Sequence, residues 1–490
     1  MRGSLVLFTV GVGLLTTACG TDTMGGDDSD APVPRATWYQ DVAPILSKHC
    51  MSCHSAGGIA PFSLPDYDDA VEVSAMMVTK VDAGEMPPFD AREEADCTPR
   101  FGWQDDPRLS ATEKATLHAW IEDGHALGTE APIAAPPSTA LEGISKTLTP
   151  TQGWTTTGTK DQFVCYVLDP GNTQLTWLTG LQVRPGNDLV VHHAVLTEVT
   201  KQPDIDAIVA QRGIGQPWDC SASATPGDFV VNVWTPGNQP MNTPTELAVP
   251  LVPNAKIVMQ IHYHPANHTN DIDFTSVDLK FSTVWPRKMY FVAAIGNEFA
   301  APNLEPSPDE APGAMPAFMI PRNAANHPEN MNRTLDSLGG LTGVKVFSVN
   351  PHMHLVGTHI SGKIVRPTAR GAEPKQECLA NGAWNFDWQR TYIYDAPIDS
   401  LPSIEAGDRI EVSCRWNNTI ENPFVQRMLA DSNLPPQPID ISLGEQTTNE
   451  MCLEIFGLAV DAPPKPTAID APFALPDLAT FGRNLRLPAM

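Results

Sequence analysis

The chain has 490 residues, and 42% of them are hydrophobic. This length is too great for one ordinary hydrophobic core and predicts about three domains. Its 35 glycines, 47 prolines and 18% charged residues favour short strands joined by many turns. The formal net charge of -26 would repel nucleic acid and anionic lipid, and it would attract a basic redox donor.

The N-terminus predicts an export signal. Arg2 precedes an apolar run over 5–15, and TTAC at 16–19 is similar to a bacterial lipoprotein processing site. The run is shorter than the ~20 residues that a membrane span needs. We expect a lipoprotein anchored through Cys19, with 20–36 as a linker, that faces the periplasm or sits on the outer membrane. The alternative is a plain secretory signal whose removal discards the cysteine.

The next segment predicts a haem-binding unit. After TWYQDVAPILSKH, which has apolar residues at helical spacing, Cys50, Cys53 and His54 form a C-x-x-C-H motif. This motif attaches a c-type haem through two thioethers and supplies the proximal histidine. Met86, in the proline-stiffened loop GEMPPFD, is the expected distal ligand. The alternatives for the two cysteines are a disulfide or a zinc knuckle.

A capped helix predicts the end of this unit. Ser110 precedes ATEKATLHAWIEDG, in which Glu113 completes a capping box and Gly124 closes the helical pattern. A proline- and alanine-rich segment, 131–147, follows and predicts a semi-rigid linker. We therefore expect 37–130 to be a self-contained, all-α cytochrome c-like domain.

Beyond the linker, the composition changes to short runs rich in valine, threonine and aromatic residues. Examples are LQVRPGNDLVVHHAVLTEV, KIVMQIHYH and GVKVFSVNPHMHLVGTHISGKIV. Such runs, broken by turn residues, predict β-strands. The run PAFMIPRNAANHPENMNRTLDSLGG predicts an irregular connection, and the residues after Val460 predict a loose C-terminal tail.

Possible soft-metal ligands lie on these strands. His352 and His354 are two apart, so a strand would project both from one face. The adjacent histidines of HHAVL point to opposite faces of a regular strand, and joint coordination requires a local twist or bulge. Imidazole suits copper, iron and zinc, and a thioether beside two imidazoles favours copper, which indicates redox chemistry. The candidate ligands are His192, His193, His262, His352, His354 and Met451.

Two alternatives stay open on the residues alone. In QIHYH, His262 and His264 share a face, so either could bind metal. Any single histidine of this group could instead be a buried structural residue whose ring bonds a backbone carbonyl.

The ordered motifs HHAVL, QIHYH, HMHLVG and EMC resemble those of the copper type II, ascorbate-dependent monooxygenases, the family of peptidylglycine α-hydroxylating and dopamine β-monooxygenases. The resemblance implies two packed antiparallel β-sandwich domains of jelly-roll type, over 148–286 and 287–462, each with one copper ion. It leaves His264 outside the first coordination shell. It implies an electron-transfer copper at His192, His193 and His262, and a dioxygen-activating copper at His352, His354 and Met451.

Six cysteines remain after the signal and the haem motif, and an even number in an exported chain allows three disulfides. The resemblance implies one disulfide in each sandwich domain. Cys97 and Cys378 have no counterpart, so they either pair with each other or stay as free thiols. The implied pairs are Cys165–Cys220 and Cys414–Cys452.

The chain departs from the peptide-hydroxylating members at the substrate positions. Asn350 replaces an arginine, and Leu453 and Ile455 replace an asparagine and a tyrosine, all of which hold the substrate carboxylate there. Without the arginine fork, the bidentate grip on a carboxylate is lost, which favours an apolar or neutral substrate. Near the first copper, Gln260 matches a family glutamine, whereas Phe163 stands where a tyrosine is common.

The motifs together predict a copper-dependent monooxygenase that hydroxylates a C–H bond of a small organic substrate with O2. The expected cofactors are two copper ions and haem c. Ascorbate or another one-electron reductant is the expected source of electrons. The domain order favours a haem that relays electrons to the three-histidine copper. The alternative is a non-catalytic haem- and copper-binding electron-transfer lipoprotein.

Overall fold

The structure is a computed structural model that describes residues 35–55, 60–64, 66–138, 140–158, 160–220, 226–265, 268 and 270–465. The predicted signal, its Cys19 and the tail beyond 465 lie outside the described residues. Within the described ranges, no helix has both the length and the apolar character that crossing a membrane requires.

Helices form most of the regular structure before residue 130. The predicted capping box is present, with Ser110 and Glu113 bonding each other's backbone amides, and Gly124 follows the helix at a φ of 76°. Trp38, Leu46 and Trp120 are fully buried in a small core of their own. The helices are the π-helical η1 (Trp38–Val42), α1 (Ala43–His49), α2 (Tyr67–Asp82), α3 (Ala111–Glu122), α4 (Gln202–Arg212), the 3-10 helix η2 (Ile398–Ser400) and α5 (Pro423–Asp431).

Among the described residues, twenty-two strands form from Lys146 onward. They are β1 (Lys146–Leu148), β2 (Trp154–Thr155), β3 (Gln162–Leu168), β4 (Thr176–Arg184), β5 (Val191–Val199), β6 (Trp218–Asp219), β7 (Phe229–Trp234), β8 (Met241–Asn242), β9 (Leu247–Leu251), β10 (Lys256–Tyr263), β11 (Ile272–Asp273), β12 (Ser276–Ser282), β13 (Lys288–Gly296), β14 (Met319–Ile320), β15 (His327–Thr334), β16 (Lys345–Met353), β17 (Gly357–Val365), β18 (Gln376–Ala383), β19 (Tyr392–Ile393), β20 (Arg409–Trp416), β21 (Ile441–Ser442) and β22 (Cys452–Asp461).

The strands form several sheets, an arrangement compatible with β-sandwich domains. A 14-stranded sheet contains the path β1-β12-β4-β9-β13-β7-β5-β10-β3-β6, and it also holds β8, β16, β19 and β22. A four-stranded sheet has the order β15-β20-β17-β18. β13 pairs with β7 on one side and β22 on the other, so strands of both predicted sandwich domains share one sheet.

Three disulfides are formed among the described residues, and two of them join the pairs that the family resemblance implied. Cys165–Cys220 ties β3 to the residue after β6, with an S–S distance of 2.14 Å, and Cys414–Cys452 ties β20 to β22 at 2.10 Å. The second bond joins the four-stranded sheet to the large sheet. Cys97 and Cys378, whose state the sequence left open, form the third disulfide.

The prediction of an irregular connection over 316–340 was wrong. β15 pairs with β20 along its full length of eight residues. Its inward positions include His327 and Glu329, whose side chains are buried with Nε2 and Oε1 3.0 Å apart. Because this buried pair is polar, the strand lacks the alternation of apolar residues by which a half-buried strand is recognised.

The helical unit is also not self-contained, contrary to the expectation from the sequence. The segment 89–105, which we call the strap, leaves the helices and packs on the second half of the chain. Phe89 and Trp103 are buried in the main core, and the amide of Arg92 donates to the carbonyl of Asn381 at 2.7 Å. The Cys97–Cys378 disulfide fixes the strap covalently.

Candidate metal centres

Two adjacent antiparallel strands bring together what we call the three-histidine cluster: His192, His193 and His262. His193 lies opposite His262, but the next residue of β10, Tyr263, lies opposite Val191. His192 is therefore the extra, bulged residue of β5. The bulge turns two neighbouring side chains toward one point, as joint coordination of a metal requires.

The cluster is compact enough to hold one ion. The Nδ1 atoms of His192 and His193 are 3.1 Å apart, and those of His262 and His193 are 3.4 Å apart. One ring nitrogen from each of the three lies within 4.8 Å of the others. Burial, followed by the neighbouring imidazoles, holds the pKa of His192 and of His193 well below the ordinary value. The rings are therefore neutral, the form in which imidazole binds a metal.

Aromatic rings and a carboxylate surround this cluster. Phe163 stacks on His262, with centroids 4.3 Å apart and planes 10° from parallel. An oxygen of Asp161 lies 3.4 Å from Nε2 of His262, and its other oxygen lies 2.6 Å from Nδ1 of His264. His264 thus has this carboxylate as a partner and is not one of the three residues whose ring nitrogens cluster.

The second candidate group, which we call the His-His-Met group, consists of His352, His354 and Met451. His352 Nδ1 lies 3.0 Å from Oε1 of Gln389, and His354 Nδ1 lies 3.1 Å from the carbonyl of Asn449. An acceptor at Nδ1 selects the tautomer protonated there, which leaves the Nε2 lone pair for a metal. Burial lowers the pKa of His352 to about 4 and that of His354 to about 3.

Met451 reaches the same place from a remote part of the sequence. It directly precedes β22, whose first residue pairs with Met353 between the two histidines. Its side chain is only 8% exposed and lines the same cavity as His352 and His354. The Cys414–Cys452 disulfide lies at the next residue, so the thioether is delivered from a covalently supported position.

Glu450 supports this position from the other side. Its buried carboxylate accepts hydrogen bonds from the amides of His354 at 2.9 Å and Val356 at 2.7 Å, and from Nε1 of Trp416 at 2.9 Å. Burial raises the pKa of Glu450 to about 7, although these hydrogen bonds act to lower it. Sequence reasoning missed Asp161, Gln389 and Glu450, and only the glutamate had a signal, its place beside Met451.

An apolar cavity of about 70 Å³ separates the two candidate groups. Its walls include valines from both halves of the chain, and the substrate positions identified from the sequence lie on them. The rings of His193 and His352 lie edge to face there, with centroids 6.2 Å apart. The cavity is lined by Phe163, Gln260, Asn350, Leu453 and Ile455, with Val195, Val230, Val233 and Val292.

The haem motif lies at the end of α1. Cys50 and Cys53 are free thiols, which excludes the disulfide alternative. The amide of His54 donates to the carbonyl of Cys50 at 2.9 Å, and its Nδ1 lies 3.0 Å from the carbonyl of Phe62. Met86 follows α2 and is 41% exposed. Two thiols, one imidazole Nε2 and an accessible thioether are donors that fit a c-type haem.

One protein-family model is similar to part of the chain. Residues 315–428 match the family model of the copper type II ascorbate-dependent monooxygenase, C-terminal domain. His352 and His354 lie inside the match, whereas Met451 and the three-histidine cluster lie outside it. No curated protein matches the chain. The family match supports a copper monooxygenase function in general terms and suggests an oxidoreductase.

Two solved structures align over much of the chain. They are the infectious bursal disease virus VP2 subviral particle, with 9% identity over 68% of this chain and 84% of that one and a TM-score of 0.11, and T=1 particles derived from infectious bursal virus, with 9% identity over 71% and 86% and a TM-score of 0.13. Scores this low carry no argument about fold or function.

Proposed function

We propose that the chain is a copper-dependent monooxygenase that hydroxylates a C–H bond of a small organic substrate with O2. One observation carries the proposal: the His-His-Met group and His193 of the three-histidine cluster line one apolar cavity. Histidine and thioether donors suit copper, and the two groups could each hold one ion. Bound copper would supply one-electron chemistry and the activation of O2.

The residues of the chain would orient these donors and keep the site dry. Gln389 and the carbonyl of Asn449 fix the imidazoles of the His-His-Met group through Nδ1. Valines and the side chains of Leu453 and Ile455 exclude water from the cavity between the groups. A cavity with this lining favours substrates that gain free energy by leaving water.

A neutral substrate agrees with the polar residues of the cavity wall. Asn350 Nδ2 donates to Oγ1 of Thr391 at 2.9 Å, and its buried Oδ1 has no hydrogen-bond partner among the described residues. Glu445 is the single charged side chain among the residues that line this cavity, and the lining includes neither arginine nor lysine. A substrate carboxylate would therefore find no arginine or lysine side chain to pair with, which favours an apolar or neutral molecule.

We propose that the helical unit carries haem c at Cys50, Cys53 and His54, with Met86 as the distal ligand, and supplies electrons to the copper sites. The free thiols and the position of the His54 ring support this assignment. Ascorbate or a basic redox donor would deliver the electrons from outside.

Export as a lipoprotein, with Cys19 as the lipidated residue, is part of the same proposal. The three disulfides support an oxidising compartment such as the periplasm, because such bonds are rare where thiols are kept reduced. Mass spectrometry of the mature N-terminus tests it, since an unmodified terminus downstream of Cys19 would reject the anchor.

Metal analysis and absorption spectroscopy of the purified full-length protein test the main proposal. We expect two copper ions and one covalently bound haem per chain. Met451→Ala should keep the copper of the three-histidine cluster, lower copper affinity at the other group, and abolish O2 consumption in the presence of ascorbate. Met428→Ala, which removes a buried methionine of α5, is the control for lost packing.

The outcomes separate the two candidate functions. A protein that binds no copper rejects the monooxygenase. Two bound copper ions without O2 consumption would instead support the non-catalytic electron-transfer alternative.

A further inference from the structure

The carboxylate of Asp161 lies between the two candidate metal groups. This residue directly precedes β3, and the β3–β10 register, in which Phe163 faces His262, puts it across from His264. Its side chain is only 5% exposed. A carboxylate this deeply buried costs free energy unless hydrogen bonds compensate it, so its partners indicate its role.

On one side, Asp161 contacts two histidines: His262 in β10 and His264, which directly follows that strand. Oδ1 lies 2.6 Å from Nδ1 of His264. Oδ2 lies 3.4 Å from Nε2 of His262, the ring nitrogen opposite the one that faces His193. At that distance Nε2 of His262 forms no hydrogen bond in the structure, so the carboxylate acts on this ring through its position and charge. A carboxylate behind the far nitrogen of a ligating imidazole favours the tautomer protonated at that nitrogen and raises the basicity of the other.

On the other side, the same carboxylate holds a loop from the second half of the chain. Thr447 donates to Oδ2 with its backbone amide at 2.9 Å and with its hydroxyl at 2.8 Å. The loop 443–450 leads directly into Met451. It also supplies the carbonyl of Asn449 to His354, and the carboxylate of Glu450 to the amides around that histidine.

The hydrogen bonds at Asp161 suit an ionised carboxylate. The amide and the hydroxyl of Thr447 both donate to Oδ2, and Oδ1 lies within hydrogen-bond distance of Nδ1 of His264. An ionised carboxylate accepts at both oxygens and donates at neither, which suits these three neighbouring groups.

We propose that Asp161 is a positioning residue shared by both groups: it orients His262 in the three-histidine cluster and fastens the loop 443–450 that carries the donors of the His-His-Met group. The copper part of this inference rests on the proposed function, whereas the fastening of the loop does not. Because Asp161 contacts both, a change in the position of either group would alter the position of the other through this side chain.

Two variants separate the contacts. Asp161→Asn keeps the shape of the side chain but removes its charge and one acceptor oxygen. Thr447→Val removes only the hydroxyl that bonds it. Asp278→Asn is the matched control, because Asp278 is also a buried aspartate that accepts from a threonine hydroxyl, at 2.5 Å from Thr147, but it lies in β12, outside both groups.

Hydrogen exchange of the amides in 443–450 is measured first, on the copper-free protein. We expect faster exchange in Asp161→Asn and in Thr447→Val, and unchanged exchange in the control. Copper affinity and the EPR spectrum of Cu(II) are then measured for each protein. Asp161→Asn should lose about 10- to 100-fold in affinity at the three-histidine cluster and change its spectrum, whereas Thr447→Val should leave that cluster unchanged.

The two measurements can contradict the inference and the proposed function independently. If Asp161→Asn behaves like the control in both, the inference is overturned, while the proposed function stands. If the unmodified protein binds no copper, the proposed function is rejected, and the exchange measurement still decides whether Asp161 fastens the loop. If Asp161→Asn does not fold, unchanged exchange in Thr447→Val overturns the fastening.

Discussion

The ring of Phe386 stacks on the imidazole of His192, with centroids 4.6 Å apart and planes 22° from parallel. The phenylalanine belongs to the connection between β18 and β19, whereas the histidine belongs to β5. Three residues after the phenylalanine, Gln389 accepts the hydrogen bond of His352. One short segment of the second half of the chain therefore contacts a histidine of each candidate group.

Replacing the stacked ring should disturb the three-histidine cluster. Phe386→Ala removes a buried side chain, which typically costs about 3–5 kcal/mol, and it frees the ring of His192. We expect a lower free energy of unfolding and a changed Cu(II) EPR spectrum. Trp177→Ala removes another buried ring, in β4 and outside both groups, and it should lower stability without changing the spectrum. Identical spectra for both variants would contradict the expectation.

Removing the acceptor from His352 should weaken only the second group. In Gln389→Leu the buried Nδ1–H of His352 loses its partner, which costs about 1–3 kcal/mol and lets the ring turn. Copper affinity at the His-His-Met group should fall by about 10- to 100-fold, as measured by competition with a chelator. Gln389→Glu keeps an acceptor oxygen and should lose less. Full copper binding at both groups in Gln389→Leu would refute the role of this bond.

Glu450→Gln should destabilise the copper-free protein. The carboxylate accepts from the amides of His354 and Val356 and from Trp416, and a glutamine would turn an NH2 group toward one of these donors. The loss of one acceptor should cost about 1–3 kcal/mol. Denaturant unfolding measures it, with the exposed Glu421→Gln as control. Equal midpoints for the two variants would mean that these hydrogen bonds contribute nothing net.

The strap provides a test of pH dependence at Asp90. Burial, only partly offset by Arg92, raises the pKa of this carboxyl from 3.8 to about 6. Between these values the folded protein retains a proton that the unfolded chain has lost, so this group's contribution to stability is present at low pH and is lost as the pH rises toward 6.

Asp90→Asn should remove this loss of stability at high pH. After allowance for solvent screening of this partly exposed group, we expect the variant to be more stable than the unmodified protein by about 1 kcal/mol at pH 7, with a smaller gain at pH 4. Melting temperatures at the two pH values measure the difference. The exposed Asp96→Asn in the same strap is the control, and an equal gain in both variants at both pH values would refute the assignment.

Short-range patterns predicted the parts of the structure that depend on local geometry. The strand period of two put His352 and His354 on one face, and the opposed directions of neighbouring side chains required the bulge that occurs at His192. The capping box at Ser110 follows the same logic for a helix. The two disulfides of the β-rich part came from the family resemblance and not from any local rule.

Features that depend on contacts between remote residues could not be predicted. Asp161 and Thr447 are 286 positions apart, and no pattern in the sequence joins them. The strap has no periodic apolar pattern, so its docking on the main core left no local trace. β15 was missed because its inward side chains include a polar pair in place of alternating apolar residues.

The bond between Cys97 and Cys378 closes a path that spans 281 positions and includes the whole proline- and alanine-rich linker. A protease that nicks the linker would therefore cut the polypeptide in two without releasing either piece. The helical fragment would stay tethered to the β-rich fragment until a reductant opened the bond. In electrophoresis, the nicked protein should migrate as one species without thiol and as two with it.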